Sequence, residues 1–426
     1  MWMNWKGIFL ITQTASKESK KHQAVRKIVY SIPQNSSYYS FIYIGIKVPM
    51  KNIIFLDQYG TMGGGQQVLL EVVHAAIAAG HKTSVMLPDG LCALKLRAMG
   101  ADVIPVPECR LSQGKKGIID IIHFIWYGLR TFVTHIWLLR QADLIYVNGN
   151  RLLPIAGLAQ IILGRAAVYH IHLNHGTLEK KLFCWVLKLK KTRALILPST
   201  FIHRELLTTD VCFNDPRVYV IPNGLDNRFD DIAFEDRFTN CPLQHVGIVG
   251  RVSPEKGQDV LIPLAQQFPR LHFHILGDAA FSSEAYYKQL KQAAPDNIHF
   301  HGWIDDLPAK VKEIGLQICL IPSRCPSGSP ERSFEAAPLV PLQMTALSCL
   351  VLVRNLGALS DIAQTLQLRL FEKDEDLIDT IHKILQEDMT MLASDVRTSY
   401  NHCLEKYAHA IFQERLNQLF HNLFQQ

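Results

Sequence analysis

The run Ser333-Phe334-Glu335-Ala336-Ala337-Pro338-Leu339-Val340-Pro341-Leu342-Gln343-Met344-Thr345-Ala346 lies between two apolar stretches, Gln317-Ile318-Cys319-Leu320-Ile321-Pro322 and Cys349-Leu350-Val351-Leu352-Val353. The first stretch reads as a buried strand closing at Pro322 and the second as a β-branched strand, with Leu339 to Leu347 a short apolar helix between them. A strand, a loop bearing a carboxylate and a helix N-terminus together suit an anionic ligand. The first amides of a helix are free donors, and its dipole places partial positive charge there. Glu335 stands just ahead of those amides. Two roles are open to it: stabilising the helix N-terminus, as acidic residues commonly do, or accepting hydrogen bonds from ligand hydroxyls while the amides hold a phosphate.

The same alternation extends through most of the chain. At 426 residues the chain is too long for one ordinary core, so two domains are expected. An apolar fraction of 48% and a charged fraction of 19% describe a folded, rather hydrophobic protein. The net charge of +6 suits phosphate-bearing ligands or an anionic membrane surface. No dense Lys/Arg stripe with interleaved aromatics is present, which argues against nucleic acid. The nine cysteines are scattered, odd in number and without a Cys-x-x-Cys pair. That pattern points to reduced thiols in cytoplasm and away from a disulfide framework or zinc ribbon.

Residues 1–49 show no sustained period and read as an extension, with Met50 a candidate true start. Their apolar runs are shorter than the ~20 residues a membrane span needs. From Asn52 the pattern is strand 52–57, a glycine loop Met62-Gly63-Gly64-Gly65, helix 66–79, strand 83–87, helix 91–99 and strand 102–105. This is a doubly wound parallel order. Gly64 and Gly65 could approach a ligand phosphate closely because they lack a Cβ, or simply make a tight turn. Residues 118–139 form a long apolar helix interrupted by His123, Arg130 and His135. Arg130 opposes a membrane span, so a buried core helix is expected, ahead of one lying on a membrane surface.

Strands 144–147, 167–171, 195–198 and 219–222 continue the series, and the polar stretch Asn227–Pro242 reads as a linker. His170-Ile171-His172 invites a metal reading, but the same His-x-His spacing recurs at His272-Phe273-His274 and His299-Phe300-His301. Period-2 placement on a sheet face explains all three without a metal. A single histidine at a strand's C-terminal end remains a ligand candidate. A second series opens at His245, where Gly250-Arg251-Val252-Ser253-Pro254-Glu255-Lys256-Gly257 follows a strand. Arg251 can fork onto phosphate oxygens and Lys256 can act as a point charge; a solvated basic loop is the plainer alternative.

The glycine loop after the first strand, Asn223-Gly224-Leu225-Asp226, the Gly-Arg-x4-Lys-Gly loop, Gly277-Asp278 and Glu335 stand in an order that resembles the family 4 glycosyltransferases of the GT-B fold, from about Met50 to the C-terminus. The resemblance implies an α/β protein with two Rossmann-like, doubly wound domains facing a central cleft. Its expected parts are an extension over 1–49, an acceptor-side domain over 50–226, a linker over 227–243, a nucleotide-sugar domain over 244–400 and a helix over 401–426 crossing back to the first domain. The implied chemistry is transfer of a hexose-type sugar from a UDP- or GDP-sugar with retention, without a metal and without a cofactor beyond the donor as co-substrate. The implied acceptor is a saccharide or lipid-linked saccharide in cell-surface polysaccharide or glycolipid synthesis. The expected place is cytoplasmic, with peripheral association at the inner face of the membrane.

Carried over residue by residue, Arg251 and Lys256 match the cations that neutralise the diphosphate, and Gly64 and Gly65 the glycine loop closing over it. His172 matches the cleft histidine more nearly than His170. Glu335 matches the first of the family's two glutamates, expected to hold the donor sugar, with amides near Leu339 and Val340 on the phosphates. The second glutamate position is Gln343, which keeps an acceptor for the ribose but loses the charge. Ala336-Ala337-Pro338 also departs from the family's usual aromatic and glycine, and Pro338 removes an amide donor. Two other readings use the same fold: a non-catalytic nucleotide-sugar-binding protein, or a phosphorylase or epimerase.

Overall fold

A computed structural model describes residues 8–9, 25–32, 40–47, 50–109, 117–172, 177–206, 214–239, 241–279, 284–325 and 335–425. The first sheet is antiparallel and joins β1 (Ile8–Phe9), β2 (Val25–Ile32) and β3 (Ser40–Lys47) in that order. The sequence reading placed no strand there. Short apolar runs carry little period of their own, and here pairing supplies the order, with Val25 opposite Lys47 and Ile32 opposite Ser40.

The second sheet holds β4 (Asn52–Leu56), β5 (Lys82–Leu87), β6 (Asp102–Pro105), β7 (Leu144–Val147), β8 (Ala166–His170), β9 (Thr192–Leu197) and β10 (Val218–Val220). Their order is β10-β9-β8-β7-β4-β5-β6. The third sheet holds β11 (His245–Val249), β12 (His272–Leu276), β13 (Ile298–Gly302), β14 (Ile318–Ile321), β15 (Leu350–Arg354) and β16 (Arg369–Phe371), in the order β13-β12-β11-β14-β15-β16. Every recorded pairing in these two sheets is parallel.

Parallel strands need crossovers that cover both faces, which is why Ile53–Leu56 and Ile318–Leu320 read as unbroken apolar runs and are fully buried. One face of the third sheet packs through Phe273, Ile275, Leu320 and Leu352, the other through Leu276, Cys319, Ile321 and Val353. In the second sheet β4 pairs with β5 on one side and β7 on the other; in the third, β11 pairs with β12 and β14. Loops leaving such adjacent strands diverge, and that divergence makes the crevice where doubly wound sheets bind ligands.

The chain divides into two compact units, one of Met1–Tyr169, Leu189–Ala194 and Leu416–Gln426, the other of His170–Lys188 and Leu195–Arg415. Near the end of the chain, a helix runs from Met389 to Tyr407 and the next from His409 to Gln425, so the break falls at Ala408 and not at 400 as the sequence suggested. The helix Thr177–Lys188 and strand β16 were not foreseen.

The expected core helix over 118–139 is corrected in two ways. It is two helices, Ile118–Thr134 and Ile136–Leu139, meeting at His135, and its apolar side is largely exposed. The longer helix lies against Leu153–Leu163 so closely that a Cβ on Gly128 would fall 2.6 Å from Pro154 Cβ. Only the contact side, around Gly128, Thr131 and Phe132, is buried. Composition gave the apolar character but not which side had a neighbour.

Candidate functional site

The switch point of the third sheet carries a charged cluster. Arg251 and Lys256 follow β11, and Ser323 and Glu335 follow β14, so pairing of β11 with β14 brings two remote loops together. Two close approaches fix the first loop. A Cβ on Gly277 would sit 1.9 Å from Gly250 O, and one on Gly257 would sit 2.7 Å from Pro322 O while φ there is +71°. Glycine is therefore required at both places by space, and at Gly257 by conformation too. Arg324 ties the second loop to the first: its N–H donates to Glu255 O at 2.8 Å, and its guanidinium pairs with Asp259 at 2.9 Å and Asp374 at 2.8 Å.

Within this frame the Lys256 ammonium pairs with the Glu335 carboxylate, and Ser323 Oγ donates to Glu335 Oε1 at 2.9 Å. Burial alone raises a carboxyl's pKa, but Lys256, Ser323 and the nearby Arg251 charge outweigh it and hold Glu335 below its usual range. Glu335 is thus an anion whose field orients Lys256. Arg251 makes no side-chain hydrogen bond among the described residues, and its charge acts on Glu335 from nearby.

Immediately downstream, the helix Leu339–Ala346 starts after Pro338 with no side-chain cap and no acidic residue in its first turn. Leu339 and Val340 supply its first amides; Pro341 supplies none. The backbone before it is pinned, with Ser199 Oγ donating to Ala336 O at 2.6 Å and Asn223 Nδ2 to Ala337 O at 3.0 Å. Asn223-Gly224-Leu225-Asp226 therefore serves the loop. A Cβ on Gly224 would meet Phe412 Cβ at 2.4 Å, and Leu225 N–H donates to Tyr407 O at 2.8 Å. Gln343 lies one helical turn beyond the start, 7% exposed, and its side chain makes no hydrogen bond among the described residues. Ser333 and Phe334 fall outside the described residues.

The other predicted residues occupy different settings. Gly64 and Gly65 belong to the first unit and open the helix Gly64–Ala78, so they are first-turn residues and not a loop ahead of a helix at 66. A Cβ on Gly64 would meet nothing within 4 Å, so packing does not demand glycine there. Gly65 O accepts from Asn148 Nδ2 at 3.2 Å. His172 follows β8, its ring 4.2 Å from that of the buried His170, whose pKa burial and the neighbouring His172 push down.

The two later His-x-His pairs join His245 in one array across β11, β12 and β13, as expected of period-2 residues on parallel strands. Ring nitrogens of His245 and His274, and of His274 and His301, lie 3.0 Å apart; those of His272 and His299 lie 3.2 Å apart. Burial first, then the adjacent imidazoles, lowers His274 to about 3.

Sequence reasoning missed Ser323, Arg324, Asp259, Asp374 and Ser199. The available signal was position: Ser323 and Ser199 each stand two residues past a strand's end, after a proline, at the end where doubly wound sheets bind.

Two doubly wound parallel sheets, each with its own switch point, make up the GT-B fold, and comparison with known proteins gives the family. A model of Glycosyltransferase Family 4 matches residues 62–229, and one of Glycosyl transferases group 1 matches residues 244–387. The chain belongs to the family 4 glycosyltransferases. Among solved structures it is similar to Anabaena HepE in complex with UDP-glucose, at 19% identity and a TM-score of 0.68, covering 87% of this chain and 99% of that one. A glycosyltransferase from Rickettsia africae aligns at 15% identity and TM-score 0.68, covering 88% and 99%. Sucrose-phosphate synthase from Thermosynechococcus elongatus aligns at 14% identity and TM-score 0.63, also covering 88% and 99%. No curated protein matches the chain.

Proposed function

We propose that the chain is a retaining glycosyltransferase that moves a hexose-type sugar from a UDP- or GDP-sugar to a saccharide or lipid-linked acceptor, in cell-surface polysaccharide or glycolipid synthesis. The observation that carries it is the gathering of Arg251, Lys256 and Glu335 at one switch point, ahead of an uncapped helix start. Charge grows on a departing diphosphate as the sugar–phosphate bond breaks. Preorganised cations and amides aimed at that charge stabilise the transition state more than the ground state. Arg251 supplies a fork for phosphate oxygens, Lys256 a point charge, and Leu339 and Val340 the amides. Glu335 holds Lys256 and accepts from donor-sugar hydroxyls. Gln343 accepts from the ribose without charge, and His172, Gly64 and Gly65 contribute to donor binding. In this reading the leaving group is neutralised by protein groups, so turnover persists in EDTA.

HepE is a structural neighbour solved both with UDP-glucose and with UDP and glucose, which makes uridine donors the first to test. We also propose peripheral association with the cytoplasmic face of a membrane, supported by the exposed apolar side of Ile118–Thr134; among the described residues no helix is long and apolar enough to cross one. A binding-only protein is favoured by one observation, the uncharged Gln343.

A panel of UDP-, GDP- and ADP-sugars separates these readings, with binding followed by thermal shift, slow donor hydrolysis by mass spectrometry, and Glu335→Ala as control. Stabilisation by one donor, with hydrolysis lost in Glu335→Ala, is the expected result. Stabilisation with no turnover on any acceptor selects the binding-only protein, and no stabilisation by any donor overturns both.

A further inference from the structure

We propose that the bare side of the Ile118–Thr134 helix, with the exposed Trp137 beyond it, docks on a lipid bilayer bearing anionic headgroups. The inference gives the membrane association above its surface and its lipid chemistry, and rests on that reading. At 3.6 residues per turn, Ile121, Ile125, Ile118, Leu129, Ile122 and Val133 fall within an arc of about 120°, which Trp126 and Ile119 widen to about 160°. All eight are between 43% and 77% exposed. The adjoining side, where Phe132 and Thr131 are also buried, is sealed against Leu153–Leu163 by the Gly128–Pro154 contact, and Ile161 and Ile162 at the end of that second helix are 64% and 59% exposed. One side of the helix is fixed in the protein, and a stripe roughly 25 Å long, at 1.5 Å per residue, faces outward.

Charge decides what covers it. Arg130 and His123 follow Ile119 around the helix, at the border of the apolar arc, and both are exposed. Arg140 is exposed too, its guanidinium 5.4 Å from the Trp137 ring centre, an amphipathic pair suited to a headgroup layer. The helix has one carboxylate, Asp120, which is engaged at its N-terminus by the Gly117 N–H at 2.9 Å. The surface therefore offers an apolar wedge with cations at its edge, which complements anionic lipid. A second copy docked through the same helix would bring the same cations, and that helix's one carboxylate, Asp120, is engaged at its own N-terminus.

The test is co-sedimentation of the full chain with vesicles of phosphatidylcholine alone and of phosphatidylcholine with phosphatidylglycerol. The expected result is binding to the anionic vesicles that weakens with salt. Ile122→Asp/Ile125→Asp should reduce it at least tenfold, and Arg130→Glu should reduce the preference for anionic over neutral vesicles. Thermal melting confirms that the variants fold, and thermal shift with the donor panel shows whether the sugar site is intact. Failure of vesicle binding with intact donor binding removes this inference alone; the reverse removes only the donor reading. Equal sedimentation of all variants, or no binding to either vesicle, overturns the proposal. So does a concentration-dependent dimer that Ile122→Asp/Ile125→Asp abolishes, since the face would then belong to a second copy.

Discussion

The two switch points have the same topology and opposite chemistry. In the third sheet, the loops after β11 and β14 gather Arg251, Lys256 and Glu335, a cluster with two cations to one carboxylate. In the second sheet, the loops after β4 and β7 bring Asp57 and Asn148 together; the cation there, Arg151, lies over the Tyr59 ring and donates to Cys109 O, and among the described residues no cation pairs with Asp57. Asp57 is fully buried and accepts from Asn148 Nδ2 at 2.5 Å, Gln66 Nε2 at 3.0 Å and Tyr59 N–H at 2.8 Å. Burial pushes its carboxyl up to about 6 despite those bonds. Neutral donors satisfy a buried acid but do not repay the desolvation of its charge. The cationic switch point is built to meet an incoming anion, whereas the acidic one is closed upon itself and braces the glycine turn through the Asn148–Gly65 bond.

The comparison breaks first at the cations. Lys256→Ala and Arg251→Ala should each weaken donor binding about 10- to 150-fold, from the ~1.5–3 kcal/mol of a charged hydrogen bond. Isothermal titration would show it, and unchanged affinity in both variants would remove the phosphate assignment. Lys256→Ala also strands a buried carboxylate, so its melting temperature should fall. The double variant Lys256→Ala/Glu335→Gln should recover stability but not donor affinity, which separates the two roles.

Asp57→Asn should cost about 1–3 kcal/mol, because an amide N–H would face three donors in place of an acceptor. Chemical denaturation reads this loss. If Asp57→Asn instead weakens donor binding as strongly as Lys256→Ala with no loss of stability, the second switch point is not the brace described.

Acid should act oppositely on the two regions. Asp57's folded pKa lies above its unfolded value near ~3.9, so its contribution is full below about pH 4 and is lost as pH rises through about 6. The histidine array is the reverse. His245, His274 and His301 are held low, chiefly by burial, with His272 and His299 beside them and Lys310 and Glu313 facing His301. Their contribution is full above the unfolded pKa near ~6.5 and is lost as pH falls. For buried His274 the slope approaches ~1.4 kcal/mol per pH unit. Hydrogen exchange at pH 7.5 and 5.5, corrected for intrinsic rates, should show β12 and β13 losing protection before β4. Equal loss in both sheets would refute the asymmetry.

The smallest effect is expected at Gln343. Gln343→Glu should tighten donor binding by up to about tenfold through a charged acceptor for the ribose. No gain would count against placing the ribose there.

What could be read from residues alone follows from locality. Strands such as Ile53–Leu56 and Ile318–Ile321 declare themselves through unbroken apolar runs, and Gly250–Gly257 declares a cationic loop through adjacent residues. Glu335 was legible because a carboxylate before a helix start is also a local pattern. Its partner was not. Lys256 precedes it by 79 positions, and only the pairing of β11 with β14 makes them neighbours. Ser323, Arg324 and Asp259 were hidden for the same reason, as was the clamp of Ser199 and Asn223 on Ala336 and Ala337.

The apolar helix at 118–134 shows the converse limit. Its sequence determined that one side must leave water, since leucine, isoleucine and tryptophan side chains are driven from it wherever they stand. Tertiary structure alone decided that the side packed on Leu153–Leu163 is the narrower one, leaving Ile122, Ile125 and Trp126 facing outward. Periodicity and charge are properties of neighbours in the chain, and they determined the two sheets and the cations. Which loops meet, which carboxylate is neutralised and which apolar side stays bare depend on strand order, and strand order is fixed by long-range pairing that no short window of sequence contains.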